Sequence, residues 1–398
     1  MKTLYLCYFG LREPLVRTQV LPYLRELAAA EVEVYLLTFE PRMRERWTAQ
    51  TLAEEQASLQ REGIKWSALP YHKRPSVPAT FYDILAGTRA ALRLVRQQGI
   101  DVLHARAHIP LAMALLAIRF QKCKLIFDIR GLMAEEYADA GVWTPNSLNF
   151  RIIKRLEEAG IRRADQLVVL TDALKKWLLI NRLPDANNIE VIPCCVDFAS
   201  YTGTASKAEA TTDRFEVIYA GSVTGLYMLE EMGKFFLEVR ARQPQAFLRI
   251  LTMSSADEAG ERLRRVGLEP EDFWIGAVSS GDVPRYLQRA CLGLSFRKPT
   301  FSQLAASPTK IAEYLAAGLP VVSNAGVGDV DDLLRRESVG VVVHDFTAAE
   351  LARAAHDALA LAADARTSAR CVEAGRIHFD LHTVGGKRYL NVYKRLRQ

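Results

Sequence analysis

The segment that begins at Ser307, where a helix is predicted to start, has the residue types that most clearly suggest chemistry. Ser307 is a favoured N-cap, and Pro308 suits the first helical position. Gly318 stands where a left-handed residue commonly closes a helix. The pattern predicts a short helix, followed by a buried strand that ends near Asn324.

The N-terminus of this helix is predicted to bind a phosphate group. The backbone N–H groups of Thr309, Lys310 and Ile311 lack partners inside the helix and would point at an anion. Lys310 adds a full positive charge to the helix dipole. Glu313 lies one turn further on the same face, where a carboxylate can accept hydrogen bonds from ribose hydroxyls. Together these groups predict a site for a nucleoside diphosphate.

An ordinary surface role accounts for the same two side chains. In that interpretation Lys310 and Glu313 form an ion pair three residues apart on the exposed face of a helix and contact no ligand. The two residues alone leave both interpretations open.

The segment from Ser307 to Asn324, with residues 326–329 after it, resembles the donor-binding segment of the family 4 glycosyltransferases of the GT-B fold. In that family, two glutamates separated by seven residues hold the sugar and the ribose. Glu313 matches the second glutamate, whereas Ala305 stands in the place of the first. The resemblance implies a retaining sugar transfer from a nucleotide diphosphate donor.

Two further places are predicted to contact the diphosphate. Gly221 and Ser222 end a predicted strand that starts at Phe215, and a Gly-Ser loop can present N–H groups to phosphate. Members of the resembling family often carry Arg and Lys shortly after that glycine, but residues 223–228 contain neither. Arg297, at the end of another predicted strand, is expected to supply the missing cation.

Polar residues also follow two predicted strands in the first half of the chain. Because ligands of open parallel sheets bind beyond the carboxyl ends of the strands, we expect His104, Arg106, Asp128 and Arg130 to face one cleft. His104, Asp128 and Arg130 are predicted to act at the reacting centre together with Lys310, and Arg106 on the acceptor side. The plain alternative is that His104 caps a strand end while Asp128 pairs with Arg130 on a loop.

Gly10 and Arg12 complete the predicted acceptor side. They follow the first predicted strand, residues 3–9, where a glycine allows a ligand to approach the backbone. No Gly-x-Gly-x-x-Gly motif follows that strand, so a nicotinamide-binding domain is not indicated. His104 and His108 have no apparent third partner for a metal. We therefore expect neither a metal nor a cofactor.

Strands alternate with helices along the whole chain, which predicts parallel sheets. A length of 398 residues suits two domains. The predicted fold class is α/β, and the resemblance implies the GT-B arrangement of two Rossmann-like, doubly wound domains facing across a cleft. The predicted parts are an acceptor-side domain at 1–200, a linker at 201–213, a nucleotide-sugar domain at 214–376 and a helix at 377–398 that returns towards the first domain.

Composition and charge limit where in the cell the protein is expected to act. The longest apolar run, Ile109 to Ile118, is much shorter than the roughly 20 residues that span a bilayer. No small-residue cleavage site follows the N-terminus, so a cytoplasmic protein is expected. Residues 1–186 hold 27 Lys and Arg against 20 Asp and Glu, whereas residues 187–398 hold 25 against 26. This excess fits contact with the inner face of a membrane or simply solubility, and its scattered arginines argue against nucleic acid.

The sequence therefore predicts a retaining glycosyltransferase that acts on a glycan or a lipid-linked acceptor, in the assembly of bacterial cell-surface polysaccharide or glycolipid. A sugar-nucleotide epimerase of the same architecture is one alternative. The other is a non-catalytic nucleotide-sugar-binding subunit, which Ala305 and the loop without cations after Gly221 favour.

Overall fold

The computed structural model describes residues 1–184, 186–201 and 214–397, and it divides into two compact units. Unit 1 comprises Met1–Ala138, Trp143–Ile192 and Leu381–Gln398, and unit 2 comprises Asp139–Val142 and Pro193–Asp380. Apart from Tyr201, the predicted linker at 201–213 lies outside the described residues. No helix in the described part of the chain is long and apolar enough to cross a bilayer.

Unit 1 is built on a parallel sheet of seven strands in the order β3-β2-β1-β4-β5-β6-β7. The strands are β1 (Lys2–Leu6), β2 (Glu33–Pro41), β3 (Ile64–Tyr71), β4 (Val102–Arg106), β5 (Lys124–Asp128), β6 (Gln166–Val169) and β7 (Ile189–Val191). The chain winds outward from β1 in one direction and then in the other, which is the doubly wound arrangement.

In the described part of unit 1, nine helices connect these strands. They are α1 (Pro14–Gln19), α2 (Leu21–Ala29), α3 (Met43–Arg46), α4 (Ala49–Arg61), α5 (Ser76–Gln98), α6 (His108–Ala117), α7 (Met133–Asp139), α8 (Leu148–Arg163) and α9 (Asp172–Asn181). The sequence pattern of residues 15–30, like that of residues 42–62, is typical of one helix, but each segment forms two helices. Val20 leaves the helical conformation two residues before Pro22, which has no N–H to continue the ladder. Thr48 starts α4 by accepting a hydrogen bond from the Thr51 N–H at 3.1 Å.

The last part of the chain also belongs to unit 1. A π-helical segment, Leu381–Gly386, leads into α17 (Lys387–Arg395), where one continuous helix was predicted. Two buried tyrosines anchor α17. The Tyr389 hydroxyl donates to Asp128 Oδ2 at 2.8 Å, and the Tyr393 hydroxyl lies 2.8 Å from His104 Nδ1.

Unit 2 contains a second parallel sheet, of six strands in the order β10-β9-β8-β11-β12-β13. The strands are β8 (Phe215–Ala220), β9 (Ala246–Leu251), β10 (Phe273–Gly276), β11 (Leu292–Ser295), β12 (Val321–Asn324) and β13 (Gly340–Val343). Two described parallel-sheet α/β units confirm the predicted fold class, because strand and helix alternate in both.

The helices of unit 2 are α10 (Leu229–Arg242), α11 (Ala256–Arg265), α12 (Val283–Arg289), α13 (Thr309–Ala316), α14 (Val330–Glu337), α15 (Ala348–Ala363) and α16 (Thr367–Phe379). One apolar cluster includes Phe235 and Phe296, and a second includes Tyr314 and Leu315. Helices therefore cover both faces of the sheet, and α13 is held in the second cluster.

Candidate functional site

Helix α13 begins one residue later than the sequence predicts. Pro308 is the residue at its N-cap, and no side chain caps the helix. The Ser307 hydroxyl instead accepts a hydrogen bond from the Cys194 N–H at 3.1 Å. The prediction of a Ser307 cap was wrong, because a hydroxyl engaged by a distant backbone group is not aimed at the helix.

The N-terminus of α13 presents fewer open N–H groups than predicted. Ile311 donates to the Pro308 carbonyl at 3.0 Å, so its N–H is not available to a ligand. Within the described ranges, the N–H groups of Thr309 and Lys310 have no acceptor. These two groups can still receive an anion.

The other end of α13 follows the prediction. Gly318 adopts a φ of 71°, its N–H bonds to the Leu315 carbonyl, and the Leu319 N–H bonds to the Tyr314 carbonyl. This pair of bonds closes the helix in a Schellman motif and turns the chain into β12.

Tyr314 sets the position of α13 against the sheet. Its hydroxyl accepts a hydrogen bond from the Ala220 N–H at 2.9 Å and donates to the Leu294 carbonyl at 3.1 Å. A side chain at Gly293 would collide with the tyrosine ring, since its Cβ would lie 2.5 Å from a ring carbon. The carboxyl ends of β8 and β11 thus fix the helix that carries Lys310.

Lys310 is buried in an aromatic pocket, with 6% of its surface exposed. Its Nζ lies 4.8 Å from the centre of the Tyr219 ring and 4.4 Å from that of Tyr227, within the range of cation–π attraction. Among the described residues, no carboxylate lies within ion-pair distance of this amine. The surface ion pair with Glu313 is therefore not formed, and that alternative was wrong.

Burial and a neighbouring positive charge both favour the neutral form of the Lys310 amine. Burial and, to a smaller extent, the neighbouring Arg297 guanidinium lower the pKa of Lys310 to about 7, against the opposing effect of Glu313. An anionic ligand beside the amine would favour the charged form, so the site is built to receive negative charge.

Gly221 lies directly beside this amine. The residue adopts a φ of 139°, and a Cβ there would approach Lys310 Nζ to 3.1 Å. The next residue, Ser222, is exposed, and its Oγ accepts a hydrogen bond from the Thr224 N–H at 3.3 Å. A cavity of about 350 Å³ follows, lined in part by Thr224, Tyr227 and Lys298. The cavity is thus lined by part of the loop after β8 together with two cations, Lys298 and Arg262, and two carboxylates, Glu230 and Glu231.

Arg297 also lies against Tyr227. Its guanidinium carbon is 4.9 Å from the centre of the Tyr227 ring, and its Nη1 donates to the Tyr227 hydroxyl at 3.2 Å. Its Nε donates to Gln303, and its backbone N–H donates to Asn324 Oδ1 at 2.7 Å. Tyr227 therefore contacts two cations, Lys310 and Arg297, in one region of unit 2.

Glu313 is half-buried and has no hydrogen-bond or ion-pair partner in the part of the chain that the structure describes. Burial raises its pKa, and Lys310 opposes that rise. Ala305, in place of the family's first glutamate, is fully buried and offers no polar group. Glu313 is the carboxylate left open to a ligand on this helix.

The predicted residues of unit 1 form a buried network. Asp128 lies at the end of β5, with its Oδ2 3.7 Å from His104 Nε2 and 3.6 Å from Arg106 Nη1, and its Oδ1 3.6 Å from Arg130 Nη1. Burial alone would raise the pKa of Asp128, but Arg130, His104 and Arg106 outweigh burial and hold that pKa below its usual range. Burial lowers the pKa of His104, against the effect of Asp128.

This network is closed over by α17. Asp128 and His104 are fully buried, and their contacts with Tyr389 and Tyr393 make them anchors of the C-terminal helix. Arg106 is also buried, and it donates to the Tyr5 hydroxyl at 3.4 Å. The structure brings these residues together, but the expectation that they face a cleft was wrong for His104, Arg106 and Asp128, which are buried. A role for Asp128, Arg130 or His104 at a reacting centre stays a prediction.

Gly10 and Arg12 lie apart from that network. A Cβ at Gly10 would lie 2.7 Å from Pro41 Cδ, so the close approach expected of a ligand is made by the protein itself. Arg12 is exposed, stacks 3.8 Å above the Trp47 ring and donates to the Arg46 carbonyl at 2.8 Å. Neither residue contacts His104 or Asp128.

Sequence reasoning missed the two tyrosines that surround Lys310. Tyr219 is the next-to-last residue of β8, and Tyr227 ends the loop that follows Gly221. The signal available in the sequence was a tyrosine at a strand end, next to a loop that contains a glycine. Neither the ring contacts nor the cation between them can be read from that spacing.

Two family models match the chain and divide it between them. The model described as Glycosyltransferase Family 4 matches residues 16–200, and the model described as Glycosyl transferases group 1 matches residues 204–378. No curated protein sequence matches the chain.

Solved structures share the fold over the full length. Sucrose-phosphate synthase from Thermosynechococcus elongatus is 16% identical, with a TM-score of 0.74 and coverage of 100% of this chain and 99% of that one. A glycosyltransferase from Rickettsia africae is 13% identical, with a TM-score of 0.73 and coverage of 100% and 98%. HepE from Anabaena, solved in complex with UDP-glucose, is 15% identical, with a TM-score of 0.66 and coverage of 99% and 100%.

Proposed function

Because the chain belongs to the family 4-like glycosyltransferases of the GT-B fold, we propose that it transfers a sugar, with retention, from a nucleoside diphosphate donor to an acceptor hydroxyl. The acceptor is a glycan or a lipid-linked sugar, in the assembly of bacterial cell-surface polysaccharide or glycolipid. The protein works in the cytoplasm, with peripheral contact to the inner face of the membrane.

One observation carries the donor part of this proposal. Lys310 is a buried cation without a carboxylate partner among the described residues, and it stands at the N-terminus of α13 beside the Gly221 loop. A buried charge is costly unless a partner meets it. A diphosphate placed between the loop and the helix is such a partner, and Arg297 lies close enough to share its charge.

The residues of unit 2 would assist the reaction by stabilising the departing diphosphate. As the bond between sugar and phosphate breaks, negative charge grows on the phosphate oxygens, and Lys310, Arg297 and the open N–H groups of Thr309 and Lys310 meet it. Because these groups are held in place before the donor arrives, they need little reorganisation. Glu313 would accept hydrogen bonds from the ribose.

Unit 1 is proposed to hold the acceptor. Arg106 and Arg130 surround Asp128 with positive charge at the carboxyl ends of β4 and β5, where open parallel sheets bind ligands. His104 and Asp128 would position this end of the sheet through α17. Arg12, exposed on a separate part of the unit, would contact the acceptor further out.

Calorimetric titration tests the donor site. UDP, the nucleotide bound to the Anabaena relative, and uridine are titrated into the unaltered protein and into Lys310→Ala and Glu313→Gln. Lys310→Ala should weaken UDP about ten- to a hundredfold and leave uridine almost unchanged, because only UDP carries the charge. Glu313→Gln should weaken both ligands. Unchanged affinities in both variants would reject this site.

The reaction itself is tested with radiolabelled nucleotide-sugars and a panel of glycan and lipid-linked acceptors. Transfer that requires the acceptor supports the proposal, and an anomeric configuration preserved in the product supports retention. A changed sugar without any acceptor would identify an epimerase. Tight donor binding with no product on any acceptor would identify a binding subunit, the alternative that Ala305 favours.

A further inference from the structure

Helix α5 of unit 1 exposes large apolar side chains on its first turns. Val77, Phe81, Tyr82 and Leu85 are between 49% and 61% exposed. Val77, Phe81 and Leu85 follow one another at four-residue spacing, so they lie along one face of the helix. Exposed apolar groups clustered on one element mark a surface that contacts something other than water.

The same helix face is basic beyond these residues. Arg89, Arg93 and Arg96 are exposed on the later turns, and Lys73 and Arg74 are exposed immediately before the helix. Within the described ranges, none of these five cations makes an ion pair with a carboxylate. The face is therefore apolar over its first turns, with basic residues on either side.

Acidic residues are missing from this surface. Between residues 71 and 98 the only carboxylate is Asp83, which is fully buried. Its oxygens accept hydrogen bonds from the Tyr8 hydroxyl at 2.7 Å and the His72 N–H at 3.0 Å. The surface thus presents positive charge without the negative charge that usually balances it.

The opposite face of α5 is fixed to the unit. Gly87 packs so closely against α6 that a Cβ there would lie 2.5 Å from Met113 Sδ, and Ala91 and Val95 are buried. The helix is therefore held rigidly, with its apolar and basic face directed outward. A rigid helix of 23 residues presents this face over roughly 34 Å.

We propose that this face of α5, with Lys73 and Arg74, docks the protein on an anionic lipid bilayer. Phe81, Tyr82 and Leu85 would enter the boundary between headgroups and acyl chains, while the arginines contact lipid phosphates. The surface builds on the membrane contact of the proposed function, but it is independent of sugar transfer, since vesicle binding needs neither donor nor acceptor.

Co-sedimentation with vesicles tests the surface. The full chain is mixed with vesicles of phosphatidylcholine alone, or of equal parts phosphatidylcholine and phosphatidylglycerol, in low and high salt. Binding should require the anionic lipid and fall as salt screens the charges. The double variant Arg89→Gln with Arg93→Gln should bind about thirtyfold more weakly, and Phe81→Ser with Leu85→Ser about tenfold or more.

Matched variants on α9 of the same unit serve as controls. Lys175→Gln with Lys176→Gln removes the same charge, and Ile180→Ser removes an apolar side chain that is 79% exposed. Both should bind vesicles like the unaltered protein. All variants should retain affinity for UDP, which shows that they are folded and separates a failure of docking from a failure of the donor site.

Three outcomes would overturn the proposal. One is equal binding to neutral and anionic vesicles at all salt concentrations. The second is a loss in the α9 variants as large as that in the α5 variants. The third is dimerisation without vesicles that Phe81→Ser with Leu85→Ser abolishes while vesicle binding persists, because α5 would then be a contact between copies of the chain.

Discussion

Lys310 makes the unliganded protein less stable near neutral pH than it would be with an apolar side chain there. Its pKa of about 7 in the folded state lies below the ordinary value of a lysine in an unfolded chain. The unfolded state therefore binds more protons between about pH 7 and pH 10, so stability should rise with pH across that window. The folded protein thus carries the free-energy cost of burying the Lys310 charge, at a position where an anionic ligand would remove that cost.

We expect donor binding to take up a proton at Lys310 at alkaline pH. Near a diphosphate the charged amine is favoured, so the pKa of Lys310 rises on binding. Below pH 7 the amine is already charged and affinity is insensitive to it. Above that value, affinity for UDP should fall by about tenfold per pH unit. Calorimetry at about pH 8.5 in buffers of different ionisation enthalpy measures the uptake.

Lys310→Met supplies the matched control for this residue. A methionine side chain cannot titrate, so proton uptake should disappear. The affinity for UDP should then no longer change with pH above about 7.5. An uptake that persists in Lys310→Met would assign the proton to another group. An affinity for UDP that stays constant from neutral to alkaline pH in the unaltered protein would show that Lys310 does not face the diphosphate.

At the scale of elements, the loop after β8 and the start of α13 together form the proposed phosphate-binding part of unit 2. At Gly221, a Cβ would lie only 3.1 Å from the Lys310 amine. Tyr314 holds α13 to β8 and β11, so the helix cannot easily shift to make room for a side chain. The glycine is needed for space as well as for its φ of 139°.

Gly221→Ala should weaken UDP about tenfold or more, because the added methyl displaces the Lys310 amine or the loop. Gly225→Ala is the matched control in the same loop. Gly225 also has a positive φ, 71°, but nothing lies within 4 Å of a Cβ there. Backbone strain alone predicts equal losses of affinity in the two variants, whereas crowding of Lys310 predicts a loss in Gly221→Ala only. Titration calorimetry with UDP separates them.

At the scale of the whole molecule, the positive charge needed for a diphosphate comes from the chain. Lys310 lies beside the Gly221 loop, Arg297 contacts Tyr227 in that loop, and Lys298 lines the cavity that follows it. Amines and guanidinium groups can neutralise phosphate without a divalent ion.

Donor affinity should therefore survive EDTA. UDP titrated into protein dialysed against the chelator should give the same dissociation constant, within about twofold, as protein supplied with Mg²⁺ or Mn²⁺. Glu313→Gln, measured alongside, shows that the assay detects a weakened site. A large loss of affinity in EDTA that is reversed by adding Mg²⁺ or Mn²⁺ would show that a metal ion also neutralises the diphosphate.

Features set by neighbouring residues were open to prediction from the sequence. The alternation of strands and helices and the closure of α13 at Gly318 both depend on residues a few positions apart. Their conformational preferences act locally, so the pattern was sufficient. The breaks between helices near Val20 and before Thr48 are harder to read from the sequence, because they depend on a proline and a cap inside otherwise helical patterns.

The tertiary structure alone decided which side chains share a site. Lys310 and Tyr219 are 91 residues apart, and Tyr389 and Asp128 are 261 apart. Ser307 has the residue type of a helix cap, but its hydroxyl accepts from Cys194, 113 residues away. Local preference names the candidates, whereas burial, charge and competing hydrogen bonds are fixed only when distant segments pack. For that reason Lys310 could be identified as a cation from the sequence, but its tyrosine pocket and its lowered pKa could not.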